Sequence, residues 1–272
     1  MKTVTISALC ALTGLSRQGY YQGRRQRRRK ARAERRIMEA VQCERRVQPR
    51  VGTRKLQHLL NVGGVVVGRD YLFGLLREND LLVTPKKSAV RTTYYDRALP
   101  VYRNRLYDWQ PTQPNQLWVA DITFIATEEG HEYLSLITDR VSRRIVGWNA
   151  ADSCEAAQSI KALRMALGHL PANCAPVHHS DRGSQYCCHE YVAALTERGL
   201  SVSMTEQNHC YENSHAERVN GILKGEFNLD CKFRTRAQAR KAIAQAITTY
   251  NTRRPHLALQ MRTPDQAHQL AA

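Results

Sequence analysis

Apolar residues recur along this chain at two spacings, and the change from one to the other divides it. Residues 5–22 give a short apolar helix, a break at Thr13-Gly14, and Ser16 as the N-cap of a segment carrying Tyr20 and Tyr21. Cys10, a small residue four positions before the turn glycine, gives the pair a helix-turn-helix-like spacing. Further on, Ile37, Met38 and Val41 set one helical stripe, and Leu56, Leu59 and Leu60 another. After the Gly63-Gly64 turn, Asp70 or the residues just before it open a helix over Tyr71–Glu78, with Leu72, Leu75 and Leu76 inward. Gly74 costs that helix ~1 kcal/mol relative to Ala. Together these make a second helix-turn-helix-like unit. Pro85–Pro114, rich in Arg, Tyr and Pro with few aliphatics, reads as a linker.

From Asn115 the period changes. Leu117–Ile125, Tyr133–Thr138 and Ser142–Asn149 read as three short strands in a meander, with Glu129-Gly130 as the first turn. Asp152 and Glu155 resemble a capping box ahead of Ala156, Ile160, Leu163 and Leu167 at helical spacing. A short apolar piece, Ala175–Val177, leads into His178–Gly183. Tyr191–Arg198 is helical and Ser201–Met204 is a fifth strand. Ala216, Val219, Leu223 and Phe227 stripe a helix over about 212–228. Thr235 with Gln238 caps a last helix carrying Ile243, Ala246, Ile247 and Tyr250. The expected fold is α/β, a mixed sheet flanked by helices, preceded by a small all-α region.

Length and charge sharpen the division. The chain has 272 residues, enough for a small domain and a larger one, and 42% hydrophobic residues exclude wholesale disorder. Its net charge of +17 is uneven: residues 1–110 hold 24 basic and 8 acidic side chains, residues 111–272 hold 17 and 16. A strongly basic front joined to a near-neutral back predicts a polyanion-binding module tethered to something else. The run Arg24, Arg25, Arg27, Arg28, Arg29 and Lys30 lies readily along a phosphate backbone, and is equally readable as a solvated linker. Arg54, Lys55 and Arg69 are further DNA-contact candidates in the helical region.

No run approaches the ~18 apolar residues of a spanning helix. Val4–Leu15 is a poor signal-peptide core, interrupted by Thr5, Ser7 and Thr13 and followed by arginines. A cytoplasmic protein is expected. None of the eight cysteines forms a Cys-x-x-Cys pair, which predicts reduced thiols. The cluster His178, His179, Cys187, Cys188 and His189 is a poor zinc site, because adjacent cysteines rarely fit one tetrahedron.

Three carboxylates stand out by position. Asp121 lies in the middle of the first strand, where a lone aspartate is costly without a partner. Asp181 follows a short buried strand, at the edge where ligands bind in such sheets. Glu217 lies beside the apolar stripe of its helix. Carboxylates from three elements can converge on hard divalent cations, and two such ions clamp an in-line phosphoryl displacement. Lys224, seven residues beyond Glu217, lies on nearly the same helix face two turns along. Gly221 between them leaves either a bare notch for a phosphate backbone or simply a tolerated glycine. Asp139 reads as a turn residue; His178 and His179 either pack or order the Asp181 loop.

The order and spacing of these carboxylates, with 35 residues between Asp181 and Glu217, resemble the DDE transposase and retroviral integrase superfamily. PNQLWVADITFI (114–125), YLSLITDRVSRRIVGW (133–148), HHSDRGSQY (178–186), SMTEQNHCYENSHAERVNGILKGEF (203–227) and YNTRRPHLAL (250–259) are similar to OrfB-type insertion-sequence transposases. Residues 31–90 are similar to the helix-turn-helix segment those proteins carry ahead of the catalytic core. The resemblance implies a ribonuclease H-like fold and metal-dependent cleavage and strand transfer at terminal inverted repeats. It also implies Asp121, Asp181 and Glu217 as the catalytic and Mg²⁺-binding (or Mn²⁺-binding) triad, with Lys224 on DNA. Expected partners are terminal-repeat and target DNA, further copies of the chain on DNA, and an upstream-frame DNA-binding protein; no membrane is involved. The domains expected are a helix-turn-helix-like segment over 1–22, a basic linker over 23–36, a helical DNA-binding domain over 37–90, a linker over 91–112 and an integrase-like catalytic domain over 113–272. Where the family often shows Gly-Asn and Asp-Asn-Ala, this chain has Asn208-His209 and Glu212-Asn213-Ser214. A nuclease that cuts without joining, a non-catalytic DNA-binding regulator and an inactive copy are the alternatives.

Overall fold

The computed structural model describes residues 5–84, 102–107, 109–206 and 214–270. The chain divides into two compact units, residues 1–46 with 52–82, and residues 47–51 with 83–272. Asn208, His209, Glu212 and Asn213, and most of the linker expected over 91–112, fall outside the described residues.

The first unit is helical. Helix α1 (Ile6–Thr13) ends at Gly14, whose left-handed φ of 69° suits a residue without Cβ. Ser16 then opens helix α2 (Arg17–Val47), its Oγ accepting from Gly19 N at 2.9 Å. The basic linker expected over 23–36 is therefore corrected: α2 runs unbroken through it for 31 residues. Arg, Lys, Gln and Ala are strong helix formers, and solvent screens their charges along the exposed face. Ile37 and Val41 of α2 are buried, as are Leu56 and Leu60 of α3 (Thr53–Val62) and Leu72, Leu75 and Leu76 of α4 (Arg69–Glu78). Asn61 and Gln57 fasten the connection between α3 and α4 by binding the backbone of Val67 at 2.9 and 3.0 Å.

In the second unit, Leu117–Thr127 forms β1, paired antiparallel with β2 (Gly130–Asp139), which pairs antiparallel with β3 (Ile145–Ala151). On its other edge β1 pairs parallel with β4 (Val177–Ser180), and β4 with β5 (Ser201–Met204), giving the order β3-β2-β1-β4-β5. The third strand begins at Ile145 and not Ser142, because Asp139–Arg144 make the turn. Alternation along β1 decides which side chain meets which layer. Trp118 and Ala120 face a core built with helices α5 (Ala156–Gly168), α6 (Ser184–Cys187) and α7 (His189–Thr196), around Leu163, Tyr186, Tyr191 and Leu195. Leu117 and Val119 point the other way, onto Ala216 at the start of helix α8 (Ser214–Glu226). Ile125 on that face joins Val219, Leu223, Ile243, Ile247 and Tyr250 of α8 and α9 (Arg236–Thr252). Helix α10 (Pro264–Gln269) closes the fold behind a Thr263–Gln266 capping box. The capping box expected at Asp152–Glu155 is absent: Glu155 holds the N-cap position of α5 without a side-chain bond. Among the described residues no helix is long and apolar enough to cross a membrane.

Two glycines carry opposite expectations. A Cβ on Gly147 of β3 would lie 2.8 Å from Ala166 Cβ, and closer still to the Ala162 carbonyl, so α5 lies against a bare strand position. Gly147→Ala should cost about 1–3 kcal/mol of overpacking, read as a fall of about 2–10 °C in the unfolding midpoint. Gly74→Ala in α4, where a Cβ meets nothing within 4 Å, should instead stabilise its helix by up to ~1 kcal/mol. His178 supplies a pH dependence. It is buried against the Tyr191 hydroxyl at 2.9 Å, and burial, with His179 beside it, pushes its pKa down to about 3. The unfolded chain takes up this proton near pH 6.5 and the folded one does not, so stability is complete above that pH and declines below it. The loss is about 2 kcal/mol at pH 5. Thermal unfolding at pH 7.5 and 5 checks it, with His178→Gln expected to flatten the slope.

Candidate active site

The parallel ladder between β1 and β4 sets the site. Val119 is in register with His179, the last pair before β4 ends. Two residues beyond that pair come Asp121, still on β1, and Asp181, just past the end of β4. Both line one cleft of about 190 Å³, with Phe124, Tyr133, Gln185 and Tyr186 among its walls. This is the carboxyl edge of a parallel pair, where crossing strands leave room for ligands.

Each aspartate is held by its own neighbours. Asp121 Oδ1 accepts from Ile122 N at 2.9 Å, and Oδ2 accepts from Asn220 Nδ2 of α8 at 2.8 Å. Asp181 Oδ1 accepts from Gly183 N at 3.0 Å, which tightens the turn after β4. Arg182 binds the Thr205 and Glu206 carbonyls at 2.7 and 2.9 Å and fastens that turn to the end of β5. The Tyr186 phenol reports on both carboxylates. Burial raises its pKa well above the usual tyrosine value, and Tyr191, Asp121 and Asp181 push it further in the same direction.

Glu217 occupies the first turn of α8, one turn before Asn220, and does not line the cleft. The structure thus brings Asp121 and Asp181 together and sets Glu217 on the helix that grips Asp121. Among the described residues no three His, Cys, Asp or Glu side chains are grouped closely enough to hold one metal ion. Lys224 reaches the cleft from two turns along α8: its Nζ lies 4.6 Å from the centre of the Phe124 ring. Gly221 between them faces open space.

Asn220 is the residue that sequence reasoning missed. The signal was present, because Ala216, Asn220, Leu223 and Phe227 follow one helical stripe and only Asn220 is polar. The side chain is 1% exposed, and among the described residues its buried Oδ1 has no hydrogen-bond partner. A buried orphan oxygen beside a carboxylate is uncommon in folded proteins.

Other candidates have structural duties. Asp139 is fully buried and accepts from Asn115 N, Ser142 N and Ser142 Oγ at 2.7, 2.7 and 2.8 Å, which shapes the β2–β3 turn. His179 is buried against Ser203 Oγ at 2.9 Å. Arg254 of the closing motif is buried in a two-pronged pair with Glu226 at 2.7 and 2.8 Å, and it also binds His256. In the first unit, Arg24, Arg25, Arg27, Arg28, Arg29 and Lys30 are exposed along α2. Arg54 is exposed and Lys55 half-buried on α3, while Arg69 pairs with its neighbour Asp70 at 2.8 Å.

Comparison with known proteins agrees with this architecture. Residues 111–210 and 198–264 match two models described as integrase core domain. An insertion element IS600 31 kDa protein of Shigella sonnei is 37% identical over 97% of this chain and 100% of its own length. A transposase for insertion sequence element IS629 of the same organism is 31% identical over 92% of this chain and 86% of its length. The fold resembles a chain of the simian T-cell lymphotropic virus intasome, with a TM-score of 0.50 at 18% identity over 80% of this chain and 70% of that one. The chain belongs to the IS3-family, OrfB-type insertion-sequence transposases, which carry the integrase core of the DDE superfamily.

Proposed function

We propose that this transposase cuts and rejoins DNA strands at the cleft between Asp121 and Asp181, with Glu217 as the third metal ligand and Mg²⁺, or Mn²⁺ in its place, as the working ion. The observation that carries the reading is the register placing two carboxylates at one open edge. The donor set fits a hard divalent cation: two carboxylates share the cleft, and among the described residues the buried Asn220 Oδ1 beside Asp121 has no partner. Bound there, the metal supplies Lewis-acid stabilisation of the phosphate and an acidified water.

The protein's own part is orientation. Asn220 fixes one oxygen of Asp121, and the Gly183 amide fixes one of Asp181. Glu217 comes from the first turn of the same helix that supplies Asn220. Lys224 over Phe124 places a cation at the mouth of the cleft, where the scissile strand enters. Neither Tyr186 nor its neighbour Cys187 is suited to be the nucleophile. The Tyr186 phenol is held protonated by burial and two carboxylates, and burial also raises the pKa of the Cys187 thiol. Water therefore attacks in cleavage, and a DNA 3′-hydroxyl attacks in joining. The exposed basic face of α2, with Arg54, Lys55 and Arg69, holds the terminal repeats, and several copies assemble on the two ends, with an upstream-frame DNA-binding protein as a further partner.

Incubating the protein with labelled DNA carrying the element's terminal repeats, with and without Mg²⁺, should give a metal-dependent nick and a joined product. Asp181→Asn should lower both at least about a hundredfold while leaving DNA binding intact. Unchanged processing by that variant would remove the assignment, and nicking without joining would make the protein a nuclease. Asn220→Ala should slow cleavage about 10–100-fold, the usual cost of removing a partner of a metal-binding group, and raise the Mg²⁺ concentration needed for half-maximal rate. An unchanged Mg²⁺ dependence would give Asn220 a packing role only.

A further inference from the structure

Arginines in the second unit that approach the interior are generally paired. Arg144 binds Asp265 at 2.7 Å, Arg240 binds the buried Glu132 at 2.6 Å, and Arg254 binds Glu226 at 2.7 Å. The half-buried Arg140 and Arg143 break this pattern, and so does the exposed Arg218: among the described residues none has a carboxylate bound to its guanidinium group. They are nevertheless neighbours. Arg140 and Arg143 lie in the β2–β3 turn, and the Arg143 guanidinium donates to Nδ1 of His215. Arg218 lies three residues beyond His215 on α8, one turn along on the same face.

We propose that Arg140, Arg143 and Arg218, gathered with His215 where the β2–β3 turn meets the first turn of α8, form a phosphate cradle that grips the DNA backbone beside the cleavage cleft. This deepens the strand-transfer reading and rests on it only for the identity of the DNA. Like charges gathered in a half-buried place repel each other, and an anion with several acceptor oxygens relieves that repulsion while using the planar donor forks. The electrostatics agree. Burial, then Arg143, lowers the Arg140 pKa to about 10. His215 Nδ1 is the acceptor that orients Arg143. The acid facing the cluster is Asp139, whose oxygens are occupied by backbone and Ser142 donors.

Backbone geometry points the same way. Arg143 has a φ of 64°, the left-handed region that costs a residue with a Cβ ~1–2 kcal/mol. Tyr250 Oη holds that turn by donating to the Arg143 carbonyl at 3.0 Å. A glycine would sit there without strain, so the guanidinium is what the position retains. The cradle is also at a useful distance. Arg140 N donates to Leu117 O at 2.9 Å, and Asp121 lies four residues along the same strand, about 13 Å away. That interval spans about four phosphates of one strand along a duplex axis.

Fluorescence anisotropy with a labelled random-sequence duplex of about 30 base pairs, in EDTA over about 50–200 mM NaCl, tests the cradle without cleavage or metal. Removing one phosphate-binding side chain should reduce the salt slope by about 0.9 and, near 0.1 M, weaken binding about eightfold. Arg140→Gln with Arg218→Gln should therefore flatten the full chain's slope by about 1.8, and Arg143→Gln by about 0.9. Arg144→Gln, which removes an ion-paired neighbour, should leave it unchanged. A slope equal to wild type in the cradle variants overturns the proposal, including where the unfolding midpoint falls. An equal loss of slope in Arg144→Gln overturns it too, since that is only the general field. Inorganic phosphate is the remaining arm: raising the midpoint in wild type but not in the variants, with no change in the DNA slope, would assign the cradle to free phosphate and overturn the DNA assignment. Loss of cleavage by Asp181→Asn with an unaltered cradle slope separates the two readings.

Discussion

Parallel pairing of β1 with β4 is the constraint on which the site depends. The pairing is short, Leu117–Val119 against Val177–His179, and the two aspartates follow immediately after it. Slipping either strand by one residue would turn every side chain to the other face. Trp118 and Ala120 would then leave the helix-covered core, so the same hydrophobic burial that fixes the sheet fixes the separation of the two carboxylates. Adjacent carboxylates repel; the fold carries that cost because it is built into a register secured by buried apolar area. The Asn220 amide and the Gly183 N–H add local hydrogen bonds, but they act on a spacing already determined.

Much of this was legible before the structure. The strand at Ser201–Met204, the Thr235 cap of α9 and the buried stripe of α8 follow from alternation and helical period alone, because each element buries one face. Asp121 and Asp181 were visible for a related reason: a carboxylate in an apolar strand, or at the end of one, breaks a pattern that burial otherwise enforces. The remainder depends on contacts distant in sequence. Nothing local tells that Asn220 lies against Asp121, 99 residues earlier in the chain. Glu217 was as prominent as the aspartates, and it lies in the first turn of the helix whose Asn220 holds Asp121. Nothing local in the Ser142-Arg143-Arg144 string tells that Arg143 meets His215, 72 residues later.

The long helix α2 shows the limit of reading charge as structure. A basic run suggests a solvated linker because it has no apolar face to bury. Helix formation needs none where strong helix formers continue on both sides, and Ile37 and Val41 supply the anchor downstream. Electrostatic self-repulsion along the exposed face is modest in salt. Charge identified the ligand class, and propensity decided the conformation.

The end of the chain has a bearing on the middle of it. His268 of α10 contacts Ser142 Oγ at 2.9 Å, Asp265 takes Arg144 at 2.7 Å, and both lie about 120 residues after the turn they brace. A chain cut just after α9 would still carry Asp121, Asp181 and Glu217. It would nonetheless release the corner between the second and third strands, where Arg143 sits in its left-handed conformation. Keeping the carboxylates is thus not the same as keeping the corner: residues 263–268, far from the cleft in sequence, brace the turn between the second and third strands.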